Sequence, residues 1–118
     1  MTTADDIITK RVRNTLNDTA TSDAARRWLD DVLMVLLNDA VTRVVQLRPD
    51  SLLASDGTLI VIVPVTDLSM PISIDDKWLI PICHYMCAGA LEMQSPEKMN
   101  INASNHFLKL FMDAVQGI

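Results

Sequence analysis

The sequence predicts a mainly α-helical fold: a four-helix bundle-like domain with a short extended segment between two helix pairs. Of its 118 residues, 49% are apolar but only 4% are aromatic, so the core must be built from aliphatic side chains and Met. Apolar residues recur at helical spacing in four stretches, and strand signals are few. A chain of this length fits one domain, with a helix pair at about 3–48, an extended loop at about 56–74 and a second helix pair at about 77–116.

The first helix is predicted over Thr3 to Asp18. It opens with the capping signature Thr3-x-x-Asp6, in which the hydroxyl accepts from a free amide and the acid favours the positive end of the helix. Apolar residues then recur every four positions, which gives a thin apolar stripe: Ala4, Ile8, Val12 and Leu16.

The second helix is predicted from about Asp31 to Leu47, with Asp30 as its cap and Arg48-Pro49 as its stop, because a residue before proline avoids the helical region. One face carries apolar residues at helical spacing: Leu33, Leu36, Leu37, Ala40, Val44 and Leu47. Met34, Val41 and Val45 widen this face to about half the circumference, beyond the roughly 100° that one core requires. A second neighbour is therefore expected.

The second half of the chain is predicted to hold two further helices after a short extended segment. Leu59 to Val63 is predicted to be a short strand or a buried extended segment. The third helix should begin near Trp78 and end at Ser95-Pro96, and it has no charged residue from Trp78 to Leu91, so we expect it to be buried nearly all round. The fourth helix should run from Asn102 or Ala103 to Gln116.

No pattern in the sequence indicates catalysis, a metal or a cofactor. Cys83, His84, Cys87 and His106 are the only cluster of soft metal ligands, but His84 is rotated about 100° from Cys83 on a helix. We expect both cysteines to be small core residues. Each acidic pair falls at a predicted helix start, where carboxylates have a structural role: Asp5-Asp6, Asp30-Asp31 and Asp75-Asp76.

Charge and composition bear on partners and compartment. The net charge is -5, with 7 basic and 8 acidic residues in positions 1–50 but 3 and 7 in positions 51–118. This balance disfavours tight binding of nucleic acid. With two Cys, a polar N-terminus and no aliphatic run long enough for a bilayer, the sequence predicts a protein of the reducing cytoplasm without a membrane span.

A basic corner near the N-terminus could contact phosphate or carboxylates of a partner. It comprises Lys10, Arg11 and Arg13 together with Arg26 and Arg27. For Lys10 and Arg13 a solvated helix face is the preferred interpretation.

An ordered set of phrases resembles the head-to-tail adaptor, or connector, proteins of the neck of tailed bacteriophages. The phrases cover about three quarters of the chain, and a short insertion between the helix pairs marks it as a short member. They are Ile7-Ile-Thr-Lys-Arg-Val-Arg-Asn-Thr-Leu-Asn-Asp18, Arg27-Trp28, Leu36-Leu-Asn-Asp-Ala40, Val44-Val-Gln-Leu-Arg-Pro-Asp50, Leu68 through Pro71, Asp75-Asp76-Lys-Trp78, Tyr85, Ala88 and Asn105-His106-Phe107.

The resemblance implies a structural virion protein of the portal vertex, assembled in the bacterial host cytoplasm. Identical subunits would form a ring, twelvefold in this family, that joins the portal protein to a tail or nozzle protein. DNA would pass through the lumen without tight or sequence-specific binding, which the acidic charge suits. A ring needs two different buried faces on each subunit. Nine residues are the candidates for these contacts: Arg26, Arg27, Trp28, Met34, Val41, Val45, Arg48, Trp78 and Tyr85.

A second interpretation stays open. A small cytoplasmic helical regulator or antitoxin-like protein-binding module would also be acidic, helical and rich in apolar surface. The ordered phrases from Leu36 to Asp50 favour the adaptor, because a generic regulator gives no reason for them.

Overall fold

The computed structural model describes residues 2–18, 26–93 and 98–117, and it is mainly helical, with 69% of residues in helices. We label the four helices in chain order. Helix α1 comprises Ala4–Ile7, a π-helical turn Ile8–Val12 and Arg13–Leu16; α2 is Asp30–Leu47, α3 is Leu79–Met93 and α4 is Lys98–Gly117. Short 3₁₀ helices, Pro49–Leu52 and Asp76–Trp78, follow α2 and precede α3.

Helix α1 begins with the predicted capping box. Thr3 N donates to Asp6 Oδ2 at 3.0 Å, and Asp6 N donates to Thr3 Oγ1 at 3.3 Å. A stripe that repeats every four residues drifts by about 40° per repeat on a regular α-helix, and the wider π turn offsets this drift. All four predicted stripe residues are therefore buried. Asn17, in the left-handed region with φ 56°, ends the helix.

Helix α2 ends at Leu47, immediately before Arg48-Pro49, as predicted. Its start differs from the prediction, because Leu29 is the N-cap residue and makes no side-chain capping bond. Asp30 is instead the first helical residue, and its carboxylate accepts hydrogen bonds from Arg13 and Arg26. The cap was mispredicted because these arginines compete for the same carboxylate.

Helix α3 contacts each of the other three helices. This central position explains its lack of charge. Of the six residues on its predicted main face, five are buried, Leu79, Ile82, Met86, Cys87 and Ala90, and Cys83 is only partly buried. Helix α4 packs along α3 and begins at Lys98, about one turn earlier than predicted. Positions 94–97, with the predicted stop at Ser95-Pro96, lie outside the described residues.

Helices α2 and α3 pack tightly at Gly89. A Cβ placed on Gly89 would lie 2.7 Å from Leu36 Cδ2, well inside van der Waals contact. The glycine therefore allows the Leu36 side chain to pack directly on the α3 backbone.

The segment between the helix pairs is extended but has no regular strand in the described part of the chain. Only an isolated antiparallel bridge joins Leu53 to Leu59, around a turn in which Gly57 has φ 85°. The Asn38 amide donates to Val65 O at 2.9 Å and accepts from Val65 N at 2.8 Å, which fixes the segment to α2. A second bridge joins Pro71 to Thr3. Among the described residues, no helix has the length and hydropathy needed to cross a membrane.

Candidate interaction surfaces

Arg13 is the centre of a buried charge cluster and does not lie on a solvated face. Its side chain is only 1% exposed, so the sequence-based interpretation of Arg13 was wrong, whereas Lys10 is exposed as expected. Arg13 Nη1 donates to Asp18 Oδ2 at 2.8 Å and to the Trp28 carbonyl at 2.9 Å. Its Nη2 donates to Asp30 Oδ1 at 2.6 Å. The cluster joins α1 to the start of α2.

The candidates Arg26, Arg27 and Trp28 lie around this cluster. Arg26 Nη1 donates to Asp30 Oδ2 at 3.1 Å. Arg27 lies 4.9 Å from the Trp28 ring centroid and donates to the carbonyls of Leu16 and Asn17. Trp28 is buried, and its Nε1 donates to the Ala90 carbonyl at 2.8 Å. These contacts tie the segment before α2 to α1 and α3.

Arg48 and Trp78 form a second internal contact. Arg48 makes a bidentate ion pair with Asp50, with both N–O distances 2.9 Å, and Nη1 donates to the Val115 carbonyl at 2.7 Å. Its guanidinium lies 5.3 Å from the ring centroid of Trp78, which is 0% exposed. The phrase Arg48-Pro-Asp50 thus joins the end of α2 to α4. The Trp78 side chain is not available on the surface of the described chain.

The three apolar candidates on α2 pack against the chain's own core. Val41 is only 6% exposed and lines a small cavity together with residues 62–65 of the extended segment, and Met34 and Val45 are partly buried. Only the exposed parts of Met34 and Val45 remain accessible.

Tyr85 lies in a groove of about 470 Å³ between α2 and α4. Its ring packs edge-on against Phe111, with centroids 5.1 Å apart. Arg43 and Asp39 on α2 and Met112 on α4 form the polar and apolar walls.

The extended segment carries the most exposed apolar residues of the described chain, a surface that sequence patterns did not predict. Leu59, Val61 and Val63, which we call the apolar ridge, are 76%, 78% and 53% exposed. Their exposure alternates with the partial burial of Ile60 and Ile62, the pattern expected where successive side chains of an extended backbone point to opposite sides. A continuous aliphatic run predicts burial on both faces, and only the absence of a second strand signal could have indicated exposure.

The apolar ridge lies in a part of the sequence whose charged residues are all acidic. Positions 49–76 contain five Asp and no Lys, Arg or His. Hydrogen bonds from Thr58 lower the pKa of Asp56, and hydrogen bonds from Ser69 lower the pKa of Asp67, so both carboxyls are ionised at neutral pH. Their charges border the ridge on both sides along the chain.

A second groove, of about 320 Å³, lies between α1 and α3; we call it the α1–α3 groove. Its wall on α1 carries Lys10 and Arg11, and its wall on α3 carries Ile80 and Cys83. Ile80 is exposed, and the Arg11 side chain has no ion-pair partner among the described residues. The groove therefore combines an apolar wall on α3 with a basic rim on α1.

The cysteine and histidine cluster is apolar in character. Burial raises the pKa of Cys83 to about 11 and the pKa of Cys87 to about 12, so both are thiols at neutral pH. His84 and His106 each pack on the ring of Phe107, with centroids 6.0 and 5.9 Å apart. In the described ranges, no three His, Cys, Asp or Glu side chains are grouped to hold a metal ion.

Comparisons with known proteins find no match: no family model, no curated protein and no solved structure is similar to this chain.

Proposed function

We propose that the chain is a structural subunit of a tailed-phage virion, a head-to-tail adaptor that forms a ring between the portal and the tail. In this proposal the chain has no enzymatic role. Its four helices form the bundle of the adaptor, and the extended segment between the helix pairs contacts neighbouring chains.

The exposure of the apolar ridge is the observation that carries the proposal. Three alternate aliphatic side chains are left exposed, while most residues of α3 are buried in the core. An apolar patch of this kind favours contact with another protein. A subunit that functions only within an assembly has a reason to keep such a surface.

The charge distribution supports a conduit for DNA. The wholly acidic stretch 49–76 would repel phosphate wherever it faces a lumen. Two of the basic candidates, Arg27 and Arg48, donate hydrogen bonds to carbonyls within the chain, which limits their availability to phosphate. We therefore expect DNA to pass without tight binding.

The decisive experiment mixes the chain with the portal protein of the same phage. We expect a ring-shaped complex by electron microscopy and a single stoichiometry by native mass spectrometry. A chain that stays monomeric or dimeric and ignores the portal would rule out the adaptor and favour the regulator or antitoxin-like module.

A binding measurement tests the conduit separately. We expect no submicromolar binding of duplex DNA even at low salt, where phosphate contacts are strongest. Submicromolar affinity in fluorescence anisotropy would contradict an acidic lumen.

A further inference from the structure

At its central residue, Val61, the apolar ridge lacks backbone partners among the described residues, and the Val61 side chain is also uncovered. Neither the N–H nor the C=O of Val61 forms a hydrogen bond within the described residues, and its side chain is 78% exposed. Neighbouring backbone groups are used, since Ile60 N donates to Leu52 O and Val63 N donates to Ser73 Oγ. The ridge is therefore held in place by its flanks and open at its centre.

The negative charges beside the ridge restrict which surface can pack on it. Asp56 and Asp67 border it, and among the described residues their carboxylates bond only within their own turns, Asp56 with Thr58 and Asp67 with Ser69. Antiparallel pairing of two ridges centred on Val61 would bring Asp56 of one copy close to Asp67 of the other, and like charges at this distance repel. The complementary surface must be apolar with a basic rim.

The α1–α3 groove has these properties. Exposed Ile80 and half-buried Cys83 give it an apolar surface, and Lys10 and Arg11 border it. Lys10 pairs with Asp6 at 2.8 Å on an exposed turn, which leaves Arg11 as the free cation at the rim among the described residues. The groove and the ridge have no residue in common.

We propose that the apolar ridge of one copy docks into the α1–α3 groove of a second copy of this chain. Leu59 and Val61 would contact Ile80 and Cys83, and the flanking carboxylates would approach Arg11. Because the two surfaces differ, the contact is heterologous and repeats from copy to copy. This inference names the subunit contact of the proposed ring and rests on that function.

The contact is weak when it acts alone. Three side chains bury far less than the roughly 800 Å² per partner of a stable interface. We therefore expect self-association near millimolar concentration in the isolated chain, and a portal that templates the ring would raise the effective concentration.

The test is a dilution series of the full chain followed by NMR. Between about 10 µM and about 1 mM, the resonances of Val61, Arg11 and Ile80 should shift together with one dissociation constant. No concentration dependence, or shifts of Val61 without Arg11 and Ile80, would overturn the proposal.

Two variants, measured separately and as a mixture, test whether the ridge of one copy contacts the groove of the other. The ridge variant Leu59→Ser/Val61→Ser and the groove variant Arg11→Glu should each lose self-association, while the control Val35→Ser, an exposed valine on α2, should keep it. A mixture of the two variants retains one native contact, so it should give a one-to-one pair that does not grow. Wild-type association of the Arg11→Glu variant would show that the ridge binds elsewhere.

The portal experiment separates this inference from the adaptor function. If the ridge variant still forms a complete ring on the portal, the proposed contact is wrong and the adaptor function stands. If the wild-type chain ignores the portal, the function fails whatever the dilution series shows.

Discussion

Arg13 illustrates at the residue scale how a charge within an apolar stripe can belong to the core. It follows Val12 on the buried side of α1, and Asp18 and Asp30 come to it from outside the helix. A buried guanidinium requires such partners, because an unpaired buried charge costs several kcal/mol. The sequence places Arg13 next to the apolar stripe of α1, but the two carboxylates reach it only in the folded chain.

We expect Arg13→Ala to lower the free energy of unfolding by roughly 3–5 kcal/mol, because it leaves the buried Asp18 carboxylate without its cation, whereas Asp30 keeps Arg26. Chemical denaturation measures the change. Lys10→Ala is the matched control, since Lys10 is an exposed cation on the same helix. Equal effects of the two substitutions would show that the Arg13 cluster contributes no more than a surface ion pair.

Asp6 should make the start of α1 sensitive to acid. Hydrogen bonds from Lys10 and Thr3 lower the pKa of Asp6 from 3.8 to about 2. A lowered folded-state pKa stabilises the fold above pH 4, and this contribution is lost as the pH falls towards 2. We expect amide signals of the first turn to change over that window in an NMR titration. Asp6→Asn should abolish the change, and a midpoint near 4 would contradict the cap.

At the scale of elements, the burial of α3 results from its contacts with three neighbouring helices. Its uncharged stretch predicts burial nearly all round; contacts with α1, α2 and α4 bury most of the helix, but Ile80 is 59% exposed. The extended segment shows the opposite case, because its aliphatic run predicts burial and the structure leaves the apolar ridge exposed. Composition cannot distinguish the two, since each is a run of apolar residues.

The contact between α2 and α3 should be sensitive to volume at Gly89. We expect Gly89→Val to destabilise the chain by about 1–3 kcal/mol, because the new side chain overlaps Leu36. In a Leu36→Ala background the same substitution should cost less, which a double-mutant cycle from denaturation curves would measure. Additive effects would place the strain of Gly89→Val somewhere other than the Leu36 contact.

At the scale of the whole molecule, the helices form an elongated fold with a large exposed surface. Its principal extents are 43 × 29 × 17 Å, and the radius of gyration is 14.1 Å. The thickness allows about two layers of helices, whose axes pack 8–10 Å apart. In so thin a fold the other helices cover most of α3, but few residues remain to cover the extended segment.

Val41 tests whether the extended segment is an integral part of this fold. We expect Val41→Asp to unfold the chain or lower its stability by about 3 kcal/mol or more, because it buries a carboxylate beneath the segment. Circular dichroism and denaturation measure the effect, with exposed Val35→Asp as the control. A stable, helical Val41→Asp chain that fails only in assembly would return Val41 to the subunit interface.

Sequence patterns alone predicted the mainly helical class, the capping box of α1, the end of α2 and the burial of most of α3. These features depend on spacing and composition within one element, which sequence patterns report directly. Only the folded structure shows that Arg13, Trp28, Val41 and Trp78 are internal and that the apolar ridge is exposed. Burial of these residues depends on which faces meet across distant parts of the chain, and no local pattern carries that information.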